Sequence, residues 1–262
     1  MAPTPKPLYG VVHVPPLPGT PFHRSGSFPG IVKDVRAQAR RMVEGGMDGL
    51  LLQTVDRVYS VRDDSDPARV AAMSVLAHEV LGQSPAGFAV GVQIMRHAVS
   101  ASLAVAKVTG ATFVRADALV GATLTTHGWV EPDSLQIMTY RKAIEAMGVD
   151  LIVDVDSMHY RWAGPDETTG GVARRAVMVG ADAVCVAHPD RDEALRKVAD
   201  VRRRAPGARV ILGGFVNHGN AAALLAETDG AFVSGCLMDP ENPPRVDPDR
   251  IRRLVEIVHG TA

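Results

Sequence analysis

Cysteine is scarce in this chain. Its 262 residues include only Cys185 and Cys236, and both fall inside apolar, strand-like runs. Disulfide frameworks belong to small, cysteine-dense secreted domains, whereas a chain of this length buries most of its surface without covalent cross-links. The scarcity excludes a disulfide scaffold and favours a reducing compartment, so we expect a cytoplasmic protein.

Net charge and long apolar runs are missing as well. Lys and Arg total 28 against 29 Asp and Glu, which leaves a formal net charge of −1. That balance gives no electrostatic basis for binding nucleic acid or an anionic membrane. No apolar run approaches the roughly 20 residues that span a bilayer, and the segment 1–7 lacks the apolar core of a signal peptide. These absences predict neither a nucleic-acid partner nor a membrane partner.

Several common catalytic signatures are also absent. The sequence has no Gly-x-Ser-x-Gly nucleophile elbow, no Walker-type loop and no dinucleotide-binding glycine fingerprint. Cys185 has an apolar neighbour on each side, a setting typical of inert thiols. Nucleophilic catalysis is therefore not predicted, and no cofactor is expected.

What the sequence does contain is a regular alternation of strand-like and helix-like segments, several of the latter ending in glycine before the next strand. Eight such pairs predict an α/β fold, a single-domain (β/α)₈ TIM barrel over residues 1–262. A doubly wound open sheet is the rival fold, but it rarely uses eight such even units. The predicted strands are 8–14, 48–53, 88–95, 111–117, 150–156, 182–188, 209–214 and 230–235, and the predicted helices are 31–45, 66–82, 97–109, 132–147, 168–179, 191–204, 218–227 and 247–259.

Polar residues gather at the carboxyl ends of these strands, where a barrel builds its active site. Residues two apart share a strand face, so we expect Asp154 and Asp156 to point the same way, and Arg115 to share a face with Asp117. Long loops at 15–30, 118–131 and 157–167 fall on the same side. The residues expected to orient a substrate are His13, Gln53, Gln93, Arg115, Asp156, His159 and His188.

Two chemistries fit this polar cluster. Carboxylates held near one another have their pKa values pushed apart, which supplies one acid and one base. Asp154 is accordingly the predicted acid/base, with Asp117 as its partner. The alternative is a metal-dependent hydrolase in which Asp154, Asp156 and His159 bind the ion with His13 or His188, although the spacing matches no strict ligand motif and no metal ligand is assigned.

Glycines near the end of the chain predict an anion site. The blocks 209–217 and 229–236 each end an apolar run in small residues, and the first leads into a predicted helix start. In many (β/α)₈ barrels the loops after strands seven and eight bind phosphate, aided by a helix N-terminus. The predicted phosphate-binding residues are Gly213, Gly214, Asn217, Ser234 and Gly235.

The chain resembles the BtpA/SgcQ family of barrel proteins. The most specific part is Gly10–Gly19, which reads Gly-Val-Val-His-Val-Pro-Pro-Leu-Pro-Gly, and the similarity runs through the glycine blocks at the end of the chain. The resemblance implies a phosphate-binding type of barrel; named members are linked to photosystem I biogenesis and to a sugar-utilisation gene region. The other similar segments are 46–52, 90–96, 113–122, 154–159 and 180–184.

Some positions depart from the family pattern. Asp154 and His159 are kept, but Met158 replaces the usual Lys and Asp117 the usual Asn. The chain also differs from the residues usual in the family at Gln53-Thr54, at Gln93 and at His97-Ala98. These changes predict a divergent member with its own substrate.

Three functions remain open at this point. The first is an enzyme that acts on a small phosphorylated or ribosyl-type molecule by acid–base chemistry, through isomerisation or by making or breaking a glycosidic bond. The second is a non-catalytic assembly factor, and the third is the metal-dependent hydrolase. The expected partner is a small anionic molecule, and a homo-oligomer is an open alternative.

Overall fold

Eight parallel strands close into a barrel in the computed structural model, which describes residues 6–164 and 167–260. Around the barrel the order is β1-β10-β9-β8-β7-β4-β3-β2, and β1 pairs with both β10 and β2. The predicted (β/α)₈ fold is therefore confirmed. The barrel strands are β1 (Leu8–Val14), β2 (Gly49–Thr54), β3 (Ala89–Gln93), β4 (Phe113–Ala116), β7 (Asp150–Asp156), β8 (Ala183–Val186), β9 (Arg209–Leu212) and β10 (Gly230–Val233).

Helices surround the barrel, and five of the eight that the structure describes begin at a side chain that caps the helix. Asp66, for example, accepts a hydrogen bond from the Ala68 amide at 2.8 Å just before Pro67 opens the second helix, which satisfies an otherwise unpaired helix donor. No helix in the described residues combines the length and apolarity that crossing a bilayer requires. The helices are α1 (Phe28–Glu44), α2 (Pro67–Leu81), α3 (Val99–Thr109), α4 (Ser134–Ala143), α5 (Thr169–Val179), α6 (Arg191–Arg204), α7 (Ala221–Glu227) and α8 (Pro248–His259), with a short 3₁₀ turn at Gly235–Leu237.

The hydrophobic core has two layers because alternate strand residues face opposite ways. One layer lies between the strands and the helices. The other fills the barrel, where the rings of Tyr9, Phe113 and Phe232 pack with centroids 4.7–6.0 Å apart. This aromatic layer forms the floor beneath the polar side chains at the carboxyl ends of the strands.

Two features of the carboxyl end were not predicted. The loop after β4 contains an antiparallel hairpin, β5 (Thr123–Thr125) and β6 (Gly128–Val130). The loop after β7 is tied to this segment, because the Tyr160 hydroxyl donates to the Val120 carbonyl at 2.7 Å and the Ala163 amide donates to the Ala122 carbonyl at 2.9 Å. The two long loops therefore form one joined wall.

Candidate active site

A cavity of about 620 Å³ opens at the carboxyl ends of the barrel strands. His13 is the last residue but one of β1 and lies in register with Gln53 of β2, and both line the cavity. The cavity also brings together most of the other predicted site residues, namely Arg115, His159, Gly213, Gly214, Asn217, Ser234 and Gly235. Asp117, Asp154, Asp156, Gln93 and His188 do not line it.

Asp154 forms a buried ion pair on the cavity floor. Its two carboxylate oxygens accept hydrogen bonds from Arg115 Nε and Nη2 at 3.0 and 3.1 Å, and Ser157 Oγ donates a third at 2.7 Å. Burial alone would raise the pKa of Asp154, but the Arg115 guanidinium outweighs burial and holds this pKa below its usual value. Arg115 also lies over the Phe232 ring, 5.0 Å from its centroid. Asp154 is thus a fixed anion that reaches the cavity only through Arg115.

Asp117 lies behind Arg96, and its pKa differs from that of Asp154. Gln93 Nε2 donates to its Oδ1 at 2.7 Å, while Arg96 Nη1 is 3.5 Å from its Oδ2. Burial raises the pKa of Asp117 to about 7, since the charge of Arg96 compensates only part of the desolvation. The two carboxylates therefore have pKa values pushed in opposite directions, as we expected, but neither touches the cavity. Their catalytic role stays a prediction.

His159 is a neutral hydrogen-bond donor at the cavity wall. Burial first, and then the positive charge of Arg115, lower its pKa to about 4. Its Nδ1 lies 2.9 Å from Arg96 Nη1, and a guanidinium only donates, so Nδ1 accepts and the ring proton sits on Nε2. His13 faces the same cavity, and burial lowers its pKa too. Both imidazoles are accordingly uncharged at neutral pH.

The loops after β9 and β10 line the same cavity and carry backbone amides without an internal partner. Five of the lining residues have an amide that donates no hydrogen bond to another described residue, namely Gly214, Phe215, Val216, Ser234 and Gly235. Successive amides without partners along a concave backbone form an anion-binding nest. We call these five residues the amide cradle.

Two glycines at these loops, Gly213 and Gly235, differ in the space around them. A Cβ on Gly213 would come within 2.6 Å of Cys185 Sγ and 3.0 Å of Arg115 Nη2, whereas a Cβ on Gly235 would meet nothing within 4 Å. Phe215 holds a φ of 62°, a left-handed conformation that non-glycine residues rarely adopt. Such strained residues cluster at ligand sites. The Gly213 amide is already engaged, since it donates to the Val186 carbonyl at 2.8 Å.

The segment after β9 differs from the prediction in where its helix begins. The predicted helix start at 218 is wrong, because α7 begins at Ala221 after an asparagine-rich turn. The Asn217 amide donates to Asn220 Oδ1, and Asn217 Oδ1 accepts from the Gly219 amide, both at 2.8 Å. Asn217 therefore lines the cavity with its backbone amide and its Oδ1 engaged in the turn, and the unpaired backbone donors are those of the amide cradle and not those of a helix end.

Asp156 does not share the surroundings of Asp154, so the expectation that they point the same way is wrong. The register of β7 against β8 shifts between these two residues, and a bulge re-aims the side chains that follow it. Asp156 contacts Lys197 Nζ of α6 at 2.8 Å and Thr169 Oγ1 of α5 at 2.9 Å. It is a link between the barrel and its helices.

His188 is likewise placed away from the cavity. Its Nδ1 accepts the Asp190 amide at 3.1 Å, just before α6. With His188 and Asp156 turned elsewhere, the metal-ligand set that we considered is not brought together. Among residues 6–164 and 167–260, no three His, Cys, Asp or Glu side chains are grouped so as to hold a metal.

Sequence reasoning missed Arg96 and Tyr59. Arg96 follows β3 and contacts His159 and Asp117, and its guanidinium lies over the Tyr59 ring, 5.2 Å from the centroid. Arg96 follows an apolar pair, Ile94 and Met95, that extends beyond the last strand residue. A positive charge directly after an apolar strand run was the available signal.

Comparison with known proteins places this architecture in a family. The BtpA family model matches residues 4–260. The chain belongs to the BtpA family. The photosystem I biogenesis protein BtpA of Synechocystis is 26% identical over 259 residues, which cover 97% of this chain and 88% of that protein. An uncharacterized protein of Archaeoglobus fulgidus is 29% identical over 256 residues, covering 97% and 99% of the two chains.

Solved structures share the barrel at low identity. Mycobacterium tuberculosis tryptophan synthase superposes with a TM-score of 0.62 at 18% identity, covering 97% of this chain and 93% of that chain. Pyrococcus furiosus thiamine phosphate pyrophosphorylase gives 0.56 at 16%, covering 97% and 96%. The 2-keto-3-deoxy-6-phospho-gluconate aldolase of Zymomonas mobilis gives 0.55 at 15%, covering 97% and 92%. At these identities the likeness establishes the fold alone.

Proposed function

We propose that this BtpA-family barrel is an enzyme that acts on a small phosphorylated molecule by acid–base chemistry. The observation that carries the proposal is the meeting of two features in one cavity. The amide cradle lies on one wall, and two neutral histidines and two arginines lie on the others. The amide cradle suits a phosphate, and the histidines and arginines suit proton transfer at the rest of the substrate.

A phosphate is the anion that best matches the cradle. Its oxygens accept several hydrogen bonds at once, and backbone amides supply them without side-chain entropy cost. Two structural neighbours, thiamine phosphate pyrophosphorylase and the phospho-gluconate aldolase, are named after phosphorylated compounds, which agrees with the proposal at the level of the fold.

The reacting part of the substrate meets the histidines. A neutral His159 that donates from Nε2 stabilises negative charge as it develops on a carbonyl or hydroxyl oxygen. His13 is uncharged and is able to accept a proton. Asp154 and Asp117 do not contact the substrate themselves. Asp154 holds Arg115 in position, and Asp117 holds Arg96. This arrangement suits isomerisation or the making and breaking of a glycosidic bond.

A non-catalytic role is the second candidate. The Synechocystis relative is named a biogenesis protein, and the hairpin beside the cavity exposes a cross-strand apolar pair. Leu124 and Trp129 are paired and are 66% and 51% exposed, and exposed apolar surface marks partner contacts. A partner-binding role would survive loss of the cradle and would fail when this pair is made polar.

Thermal unfolding against matched ligands tests the proposal. A ligand present at about 100 times its Kd stabilises the folded state by roughly 2.7 kcal/mol, which raises the Tm by several degrees at this chain length. We expect ribose 5-phosphate to raise the Tm and ribose to leave it unchanged. Equal shifts for both sugars, or no shift for either, would contradict a phosphate site.

Two matched variants locate the site. Gly235→Asp places a carboxylate in the open space at the cradle and should abolish the ribose 5-phosphate shift. Gly207→Asp makes the same change in an exposed turn before β9, at the opposite end of the barrel, where a Cβ also meets nothing. This control should bind like the unmodified protein. If both variants keep the ligand shift, the phosphate does not occupy the cradle.

A further inference from the structure

The charged side chains that line the cavity are of one sign. Among the described lining residues there are two arginines, Arg96 and Arg115, and no aspartate or glutamate. Arg115 is neutralised by its two hydrogen bonds to Asp154. Among the described residues, the one carboxylate within 4 Å of the Arg96 guanidinium is that of Asp117, at 3.5 Å. The cavity therefore holds a positive charge at Arg96 that is incompletely compensated, in addition to the amide cradle.

Arg96 and the amide cradle lie across the cavity from each other. In the closed barrel β3 and β9 are four places apart in a ring of eight strands, which is the largest separation possible. Arg96 follows β3, whereas Gly214, Phe215 and Val216 follow β9. A single ligand in the cavity therefore meets anion donors at both ends.

The Arg96 side chain is held in place and still has donors to spare. It packs over Tyr59 and donates through Nη1 to His159 Nδ1 at 2.9 Å. Its Nε is buried without a hydrogen-bond partner, and no hydrogen bond from Nη2 to another described residue is present. A rigid guanidinium loses little entropy when it binds.

We infer that Arg96 forms a second anion subsite, which takes a carboxylate, so that the substrate is a phosphorylated carboxylic acid. This inference rests on the proposed phosphate function of the amide cradle. A carboxylate matches the edge of one planar guanidinium in size and geometry. His159 and Gln53 line the same cavity and add neutral N–H donors to it, although Gln53 Nε2 also donates to Met95 Sδ at 3.4 Å.

Paired ligands that differ in one group test the second subsite. 3-Phosphoglycerate and glycerol 3-phosphate differ only by a carboxylate against a hydroxymethyl group, and 6-phosphogluconate and glucitol 6-phosphate form the same pair with a longer chain. Isothermal titration calorimetry on the unmodified protein measures each Kd. We expect at least one acid to bind ten-fold or more tighter than its alcohol.

Variants assign the preference to Arg96. Arg96→Met should bring the Kd values of the acid and its alcohol within about two-fold of each other while the alcohol keeps its affinity. Arg57→Met is the matched control, since Arg57 is exposed, lies near the mouth over Phe22 and does not line the cavity. Arg57→Met should still bind the acid more tightly than its alcohol. Comparison of the paired ligands on the unmodified protein requires no variant, so misfolding of Arg96→Met leaves the test intact.

The outcomes separate the two proposals. Acids that bind no tighter than their alcohols, while both bind, overturn the carboxylate subsite and leave the phosphate function standing. Glycerate or gluconate that binds as tightly as its phosphorylated form overturns the phosphate function but keeps the subsite, provided that Arg96→Met removes the binding. Absence of binding by every compound overturns both.

Discussion

Asp154 has three hydrogen-bond donors and almost no contact with solvent, and these facts govern what its replacement does. Its side chain is fully buried, and that of Arg115 is 2% exposed. Removal of one charge from a buried pair leaves the other uncompensated, which costs far more than the pair contributes when intact. Asp154 therefore contributes to the stability of the fold as well as lying next to the candidate active site.

We expect Asp154→Asn to lower the free energy of unfolding by about 3–5 kcal/mol, measured by chemical denaturation. Asp150→Asn is the control on the same strand, because Asp150 pairs with Arg209 at 2.7 Å with both side chains more than 40% exposed. Its cost should stay below about 1 kcal/mol. Equal costs for the two variants would show that the Arg115–Asp154 pair is not buried as described.

The stability of the protein should depend on pH through two groups that act in opposite directions. Asp117 has a pKa raised to about 7 from its usual 3.8, so the folded state binds the extra proton and stability falls as pH rises from about 4 to 7. His159 has a pKa lowered to about 4 from its usual 6.5, so stability is lost as pH falls through the same window.

Variants should separate these two slopes. Between pH 4 and 6.5, the free energy of unfolding of Asp117→Asn should rise with pH more steeply than that of the unmodified protein. That of His159→Gln should rise less steeply or fall. Urea denaturation at several pH values measures both, and slopes that move to the same side of the unmodified protein would contradict one of the two assignments.

At the residue scale the sequence predicts which polar groups gather but not which of them face the ligand. His13 and Gln53 follow from their position at the ends of apolar strand runs, and Arg115 follows from the alternation of side chains along its strand. The prediction that Asp156 points the same way as Asp154 is wrong because a bulge in β7 breaks the alternation of side chains. A bulge leaves no clear signal in the residue types. Arg96 lies beyond the last strand residue, where periodicity gives no direction.

At the scale of elements, the absence of a side chain on Gly213, directly after β9, leaves room for the Cys185 side chain of the neighbouring strand β8. A Cβ there would lie 2.6 Å from Cys185 Sγ, so Gly213→Ala should cost about 1–3 kcal/mol of stability through overpacking. Removal of the sulfur in Cys185→Ala should recover part of the loss, with a coupling of at least about 0.5 kcal/mol in the double variant. Denaturation midpoints of the single and double variants measure this coupling.

Gly207→Ala is the control for this cycle because its Cβ would meet nothing within 4 Å. Its effect should be small and should add to that of Cys185→Ala. Additive behaviour of Gly213→Ala with Cys185→Ala would instead mean that the strands separate to accept the methyl group.

Element order and type could be read from the sequence, whereas the contents of the long loops could not. Apolar runs and glycine stops repeat eight times and leave little choice of fold. The hairpin at Thr123–Val130 lies in a segment with short, mixed runs, and no periodicity develops over three residues. The start of α7 was misplaced because Asn217 and Asn220 both have the chemistry of a cap and the turn uses both.

The whole molecule should unfold as one unit, as predicted for a single domain over residues 1–262. β1 pairs with β2 and with β10, so the first strand closes the ring with the last. Separation of either end opens the barrel interior, where Tyr9, Phe113 and Phe232 pack together. We expect far-ultraviolet circular dichroism and tryptophan fluorescence to give coincident urea transitions. Two separated transitions would divide the chain into independent halves.

The amide cradle has a consequence for how relatives diverge. Its donors are backbone groups, so nearly any side chain that tolerates the local conformation leaves them in place. Selection can then exchange Gln53 or Arg96, which line the cavity, or Gln93 and Asp117, which lie behind Arg96, without loss of these backbone donors. In such a barrel the backbone donors stay constant while the side chains that contact the rest of the ligand change. Relatives can then bind different metabolites with the same fold.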